Sequence, residues 1–269
     1  MEQKYFPEIK RIMNYNDIDI LEAAVAFLDP EWNHDNVRTP FTRIYLMLDG
    51  DGFIEYNGKK ISLLPGNICV VPSGLETSFG CDEYLEKIYF HTFIPLPDNR
   101  DILYGADTCF EFKNRMNEIT GIRKMLEENT YESVFALKTA LHKILNDCLL
   151  QTKFKKRRIA EYSEYILEVI QCIDIKLTAS LSAKDIASEL LTSESKLRKC
   201  FKKEVGMPIG KYINERLMFK AERELCRSST SVKEISDMLG FSDQFYFSRC
   251  FSAKFGIPPT TYKKRYTTV

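Results

Sequence analysis

Between Arg43 and Phe93 apolar residues fall in short runs cut by turn formers, whereas beyond Phe112 they recur every three or four positions. The first pattern predicts strands and the second helices. Ile44-Tyr45-Leu46-Met47-Leu48, Phe53 to Tyr56, Ile61 to Leu64, Ile68 to Val71 and Leu85 to Phe93 are the strand candidates. Asp49-Gly50-Asp51-Gly52, Asn57-Gly58, Pro65-Gly66-Asn67 and Pro72-Ser73-Gly74 separate them. Asn57-Gly58 is a two-residue hairpin signal, because both turn positions need a positive φ that Asn and Gly tolerate. Strands this short and evenly spaced predict an antiparallel sandwich or barrel.

The helical part opens with a connector. Val134, Leu137, Leu141, Ile144 and Cys148 follow one another at steps of 3, 4, 3 and 4, a heptad seam of just over two turns of the repeat. Such a seam fits a dimerisation helix, and it equally fits a helix packed on its own barrel.

The last hundred residues repeat internally. At an offset of 50, Cys200-Phe201, Gly206, Pro208 and Tyr212 recur as Cys250-Phe251, Gly256, Pro258 and Tyr262. At an offset of 49, Ser182, Ile186 and Leu190 recur as Ser231, Ile235 and Leu239, so the second copy holds one extra residue near Gly240-Phe241. Each copy opens on a capping box, Ser182-x-x-Asp185 and Ser231-x-x-Glu234, and reads as helix, short turn, longer helix. That is the helix-turn-helix pattern, and two copies in register say far more than one. In the long helices Leu197, Cys200, Phe201 and Val205, then Phe247, Cys250, Phe251 and Phe255, form the inward stripes. The outward stripe of the first is Ser195, Arg198, Lys199 and Lys202, with Lys196 beside it; the second presents Gln244, Phe245, Tyr246 and Arg249. Arg and Lys can hold phosphates or read guanine edges from a helix in the major groove. Phe245 could touch a thymine methyl or pack on its own domain. From Pro208 to about Ser228, Ile213, Leu217, Ala221 and Leu225 mark one linking helix, roughly 30 Å long. That approaches the ~34 Å between successive major grooves.

Charge sharpens this division. The 269 residues carry 38 Lys+Arg and 38 Asp+Glu, which would seem to argue against a polyanionic partner. Residues 1–153 hold 16 cations against 24 carboxylates, a net of −8, and residues 154–269 hold 22 against 14, a net of +8. The zero is a cancellation between an acidic half and a basic one, and the basic half is the candidate for DNA. Lys155-Lys156-Arg157-Arg158 at the boundary is expected to be a solvated linker. The eight cysteines form no C-x-x-C pair and are expected to be reduced core residues. No run of some 18 apolar residues exists, and Met1-Glu2-Gln3-Lys4 opens no signal peptide, so no membrane partner and a cytoplasmic location are expected.

In the strand-rich half, alternation puts Arg43, Tyr45 and Met47 on one face, and Tyr89, His91 and Phe93 on one face of the last strand. Trp32, His34 and Arg38, expected in a loop just upstream, add groups that stack on rings or bind polar ligands. Trp32, His34, Arg38, Arg43, Tyr45 and His91 are therefore candidates for a small-molecule site, although Tyr89, His91 and Phe93 could be ordinary core. The stretch from Gly50 to Gly74 resembles the cupin barrel of bacterial sensory domains. Catalytic cupins place metal-binding His and Glu around these turns. Here the position three after Gly74 is Thr77, and the module contains only His34 and His91. No metal or other cofactor is expected, and neither is catalysis.

The second copy, Gly240-Phe241-Ser242-Asp243-x-x-Tyr246-Phe247-Ser248-Arg249-x-Phe251, continuing through Phe255-Gly256-x-Pro258-Pro259-x-x-Tyr262, resembles the AraC/XylS family of bacterial transcription regulators. The likeness spans roughly Ser163 to Tyr266. It departs from the family at Phe245, often a small polar residue there, and at Leu191-Thr192, where the first copy lacks Gly-Phe. The resemblance implies an α+β multidomain chain with a cupin-like antiparallel β-barrel over 1–112 that binds the effector. A helical connector over 113–160 follows, then an all-α domain over 161–269 with two helix-turn-helix units. It favours the dimerisation reading of the 134–148 seam and implies a homodimer on double-stranded DNA. It further implies a sequence-specific regulator, more often an activator, that takes an effector of unknown identity, a sugar being frequent, with RNA polymerase a further candidate partner. By resemblance 195, 198, 199, 246 and 249 face bases. The alternatives are a DNA-binding regulator without an effector and, below it, a metal-dependent cupin enzyme.

Overall fold

The computed structural model describes residues 17–96, 100–152, 162–226 and 230–266. The basic run Lys155–Arg158 and the end of the linking helix at Ser228 lie outside the described residues. The chain divides into two compact units, one holding the described residues 17–152 and the other the described residues 162–266.

Among the described residues the N-terminal unit has nine strands: β1 (Asp19–Leu28), β2 (His34–Val37), β3 (Thr42–Gly50), β4 (Gly52–Tyr56), β5 (Lys59–Leu63), β6 (Ile68–Val71), β7 (Thr77–Gly80), β8 (Leu85–Phe93) and β9 (Phe110–Phe112). They form a five-stranded sheet in the order β1-β8-β3-β6-β9 and a four-stranded sheet in the order β2-β7-β4-β5, paired antiparallel throughout. The β4–β5 hairpin closes on Asn57 (φ 48) and Gly58 (φ 71), the left-handed pair that the two-residue turn requires. Four strands were not evident from periodicity: β1, β2, β7 and β9. Trp32 ends a 3₁₀ turn and His34 opens β2, so the expected Trp32–Arg38 loop is largely ordered secondary structure.

Among the described residues two helices complete this unit, α1 (Met116–Glu128) and α2 (Tyr131–Gln151). Ile119, Ile122, Leu141, Ile144, Leu145 and Cys148 share one core with Ile44, Leu46, Ile88 and Phe90 of the large sheet. Thr42 to Met47 are all buried because α1 and α2 cover one face of β3 while the small sheet covers the other.

Of the two readings of the 134–148 seam, the packing within the chain is that of a helix laid on its own unit. Leu141, Ile144 and Cys148 are buried against the chain's own sheet, and Leu137 packs on the same core. Of the five, Val134 alone is exposed, beside exposed Tyr131 and Phe135. A heptad step describes any narrow apolar stripe, and here the stripe is covered within the chain by α1 and the core of the large sheet.

The C-terminal unit is helical: α3 (Glu164–Lys176), α4 (Ala183–Glu189), α5 (Glu194–Val205), α6 (Ile209–Cys226), α7 (Val232–Met238), α8 (Gln244–Phe255) and α9 (Pro259–Tyr266). Both capping boxes are formed, Ser182 with Asp185 and Ser231 with Glu234, each satisfying amides at a helix start. α6 buries Ile213, Leu217, Ala221 and Leu225 and is the beam on which both helix pairs rest. Buried Arg216 on α6 is neutralised by Asp174 of α3 at 2.5 Å and donates to the Tyr212 hydroxyl at 2.9 Å. Five cysteines are buried, the other three half-buried, and all eight are free thiols.

Candidate nucleic-acid interface

The two helix pairs close their turns identically. After α4 the amides of Leu191 and Thr192 bond the carbonyls of Ser188 and Ala187; after α7 those of Gly240 and Phe241 bond Asp237 and Ser236. Each of these residues is offset by 49, so the extra residue of the second copy is Ser242, placed after the closure. The next helix is then capped by Ser193 in the first copy, its hydroxyl accepting from the Lys196 amide at 3.3 Å. In the second, the Asp243 carboxylate accepts from Phe245 and Tyr246 amides at 2.9 Å each. Both long helices end on a left-handed glycine, Gly206 (φ 83) and Gly256 (φ 80).

Leu197 and Phe201 anchor α5, and Phe247 and Phe251 anchor α8, all fully buried. With those positions fixed inward, the helical period forces Ser195, Lys196, Arg198, Lys199 and Lys202 outward, and all five are exposed. On α8, Phe245, Tyr246 and Arg249 are exposed and Gln244 is half-buried. Phe245 is 77 % exposed, so it does not pack on its own domain. Tyr246 lies against Phe241 (6.0 Å between centroids) and under the Arg249 guanidinium (5.8 Å).

The two surfaces differ in charge. Arg198 is held by Glu194 on the same helix, at 2.6 and 2.8 Å, so it must exchange a carboxylate for any phosphate or base. Lys196 sits over the Tyr165 ring at 5.4 Å. Among the described residues Lys199 and Lys202 pair with no carboxylate. Where α5 carries Glu194, the matching residue of α8 is Gln244, and α8 bears no acidic residue.

The small-molecule candidates separate into two groups. Arg43, Tyr45, Trp32 and His91 are buried, the first three converging between the two sheets. Trp32 meets Tyr45 edge-on at 6.2 Å and Phe79 of the small sheet at 4.8 Å. The Arg43 guanidinium donates to the Thr77 hydroxyl at 2.7 Å and to the Tyr45 hydroxyl at 3.5 Å, and lies 5.0 Å from the Phe79 ring. His91 pairs across the sheet with Arg43, stacks on Phe41 at 4.7 Å and bonds Glu22 through Nδ1 at 3.0 Å. Burial pulls its pKa below the usual histidine value against the opposing pull of Glu22. His34 is half-buried beside Phe79 at 5.4 Å, and Arg38 is exposed, donating to the Tyr104 hydroxyl at 3.3 Å.

Lys87 was not among the expected residues. It stands opposite Met47 on β3, and its ammonium lies 3.6 Å from both the Trp32 and Tyr45 ring centroids. The signal was present, since Lys87 has the parity of Tyr89 and His91 on one strand. Among the described residues no group of three His, Cys, Asp or Glu side chains could hold a metal ion. No helix among them is long and apolar enough to cross a membrane.

A family model described as a helix-turn-helix domain matches residues 186–265. The lactose operon transcription activator of Staphylococcus xylosus is 21% identical over 266 residues, which cover 93% of this chain and 94% of that protein. The HTH-type transcriptional activator AarP of Providencia stuartii is 32% identical over 114 residues, covering 42% of this chain and 84% of its own. Among solved structures, ToxT from Vibrio cholerae aligns over 93% of this chain and 99% of its own, at 14% identity and a TM-score of 0.47.

Proposed function

The chain belongs to the AraC/XylS family of bacterial transcription regulators, and from that premise we propose that α5 and α8 enter successive major grooves of double-stranded DNA. The observation that carries the proposal is the pair of outward first turns, Ser195 to Lys199 and Gln244 to Arg249, mounted on one linking helix. α6, at 18 residues, is about 27 Å long, a spacing commensurate with adjacent grooves on one face of the duplex. Ser195, Lys196, Arg198, Lys199 and Lys202 supply phosphate and base contacts in one groove, and Gln244, Phe245, Tyr246 and Arg249 in the other.

The N-terminal unit, with α1 and α2, is the sensory part. A small molecule held near Trp32, Arg43 and Tyr45 changes DNA binding by favouring one of two conformations. Relatives named as activators support activation, with RNA polymerase as the partner, and the lactose operon relative supports a sugar-linked signal. Exposed apolar residues of α2, Tyr131, Val134 and Phe135 in its first turns and Leu150 at its end, are open to a second copy in a homodimer.

Electrophoretic mobility shift across a salt series tests the DNA claim. Log affinity falls linearly with log salt if the basic face contacts phosphates. An affinity indifferent to ionic strength overturns the proposal. Iron, zinc or manganese bound tightly at one per chain would favour a catalytic cupin instead.

A further inference from the structure

Among the described residues two buried cations, Arg43 and Lys87, stand apart from the other buried charges. Arg216 has Asp174, and buried Asp101 accepts from Thr42, Ser73 and the amides of Ile94 and Leu103. Between the sheets, Arg43 is 0% exposed and Lys87 3% exposed, and among the described residues no carboxylate pairs with either. Their partners are hydroxyls and ring faces: Thr77 and Tyr45 for Arg43, Trp32 and Tyr45 for Lys87. The Arg43 Nε has no partner at all.

An arginine keeps its charge in any protein environment, so a guanidinium removed from water needs a counter-charge or a full set of acceptors. Arg43 has neither. A lysine can neutralise, and desolvation, reinforced by Arg43, holds Lys87 well below its usual pKa. Rings of Trp32, Tyr45 and Phe79 make up much of the surrounding wall. An open pocket of about 410 Å³ at the end of the small sheet is bounded by Asn36, Tyr56, Lys59 and Thr77 among others. Thr77 is common to that pocket and to the Arg43 hydrogen bond.

We propose that the inter-sheet interior binds a small organic carboxylate, its charged group between Arg43 and Lys87 and its apolar body against Trp32, Tyr45 and Phe79. This rests on the N-terminal unit being the sensory part and names the chemistry of its ligand. Binding supplies the counter-charge that the buried Arg43 and Lys87 lack.

The test uses the full chain without DNA. Trp32 is the only tryptophan, so its fluorescence reports the site directly. Acetate and benzoate, titrated at constant ionic strength, are expected to change Trp32 emission saturably and to raise Tm, benzoate at lower concentration. Acetamide and benzamide, of the same shape without the charge, are expected to do neither. Lys87→Met weakens the benzoate response about tenfold or more, equivalent to losing one charge-assisted contact. The wild-type comparison of benzoate with benzamide stands even where the variant folds poorly. No response to either carboxylate overturns the proposal, and so does a response to inorganic phosphate alone, which would assign the cations to a phosphate. A Trp32 response to the neutral isosteres alone overturns the carboxylate and leaves the sensory role standing. Loss of salt-dependent DNA binding strikes the DNA proposal and not this one.

Discussion

The two helix-turn-helix copies share a frame and differ on the face they present. Hydrogen bonds around the turn match residue for residue at an offset of 49, and both long helices start on a side-chain cap and stop on a left-handed glycine. Outside that frame, α5 carries five cations and two carboxylates, while α8 carries two cations, no carboxylate and two exposed rings, Phe245 and Tyr246. Inside, the contrast reverses. Phe251 touches the rings of Phe247, Phe255 and Tyr262, whereas Phe201 touches Tyr212 alone among rings. A duplicated scaffold thus keeps one geometry while presenting a basic face in one copy and an aromatic, carboxylate-free face in the other.

The largest effect should come from the cores. Phe251→Ala and Phe201→Ala each remove a fully buried ring, a loss of about 3–5 kcal/mol. Phe251→Ala is expected at the upper end, because edge and tilted ring pairs add about 0.5–1.5 kcal/mol each beyond their buried area. Urea unfolding followed by helical circular dichroism measures both. Equal losses would mean that the second copy's aromatic cluster packs no better than ordinary apolar core.

On DNA the copies should separate cleanly. Replacing Lys199 and Lys202 together by Ala is expected to reduce the slope of log affinity against log salt by about 1.8, and Arg249→Ala by about 0.9. Phe245→Ala should leave the slope unchanged and relax discrimination at one base pair by about tenfold, the size of a lost apolar contact to a thymine methyl. A slope change on Phe245→Ala, or none on the lysine pair, would break the division of labour.

Much of this frame was legible because helices announce themselves through a 3.6 period and through caps. Ser182, Ser231 and both terminal glycines are local signals whose partners lie three or four residues away. The sheets were less legible. β1 reads Asp-Ile-Leu-Glu-Ala-Ala-Val-Ala-Phe-Leu, rich in helix formers, and is a strand because β8 pairs with it from Ala23 to Leu28. Tertiary pairing overrides propensity there. The seam of α2 was legible as a stripe but not as to its partner, since an apolar face records that something covers it and not what. Lys87 shares the parity of Tyr89 and His91, but a lone lysine in a strand normally marks the solvent face, and it is the second sheet that buries this one. Of the expected small-molecule residues, Trp32, Arg43 and Tyr45 converge, while Arg38 lies exposed and hydrogen-bonded to Tyr104.

A smaller effect tests whether the first copy's charge is held in reserve. Arg198 spends its guanidinium on Glu194 at 2.6 Å, on an exposed surface where such pairs contribute about 0.2–1 kcal/mol. Glu194→Gln, which gives α5 the amide that α8 carries as Gln244, should therefore tighten DNA binding about threefold without altering fold stability beyond a few tenths of a kcal/mol. Mobility shift at fixed salt reads the first expectation and thermal unfolding the second. Weaker binding would mean that Glu194 aims Arg198 rather than restrains it.

At one backbone position the copies disagree. Leu191 and Gly240 occupy the same place after their short helices, and both are left-handed, at φ 48 and φ 76. A side chain there brings Cβ against its own carbonyl, a cost of about 1–2 kcal/mol that glycine escapes. Leu191 bears it with its side chain 95% exposed, so nothing packs to compensate. A Cβ on Gly240 would in addition come within 3.2 Å of the Thr178 side chain, which lies over the turn. Gly240→Ala should consequently destabilise the helical unit by about 1–2 kcal/mol, strain and contact acting together. Leu191→Gly should stabilise it by a few tenths to about 1 kcal/mol, since relief of strain is partly offset by the larger entropy glycine loses on folding. Thermal unfolding of the two variants gives the signs. Loss of stability in Leu191→Gly would show that the entropy glycine loses on folding outweighs the relief of strain at this turn.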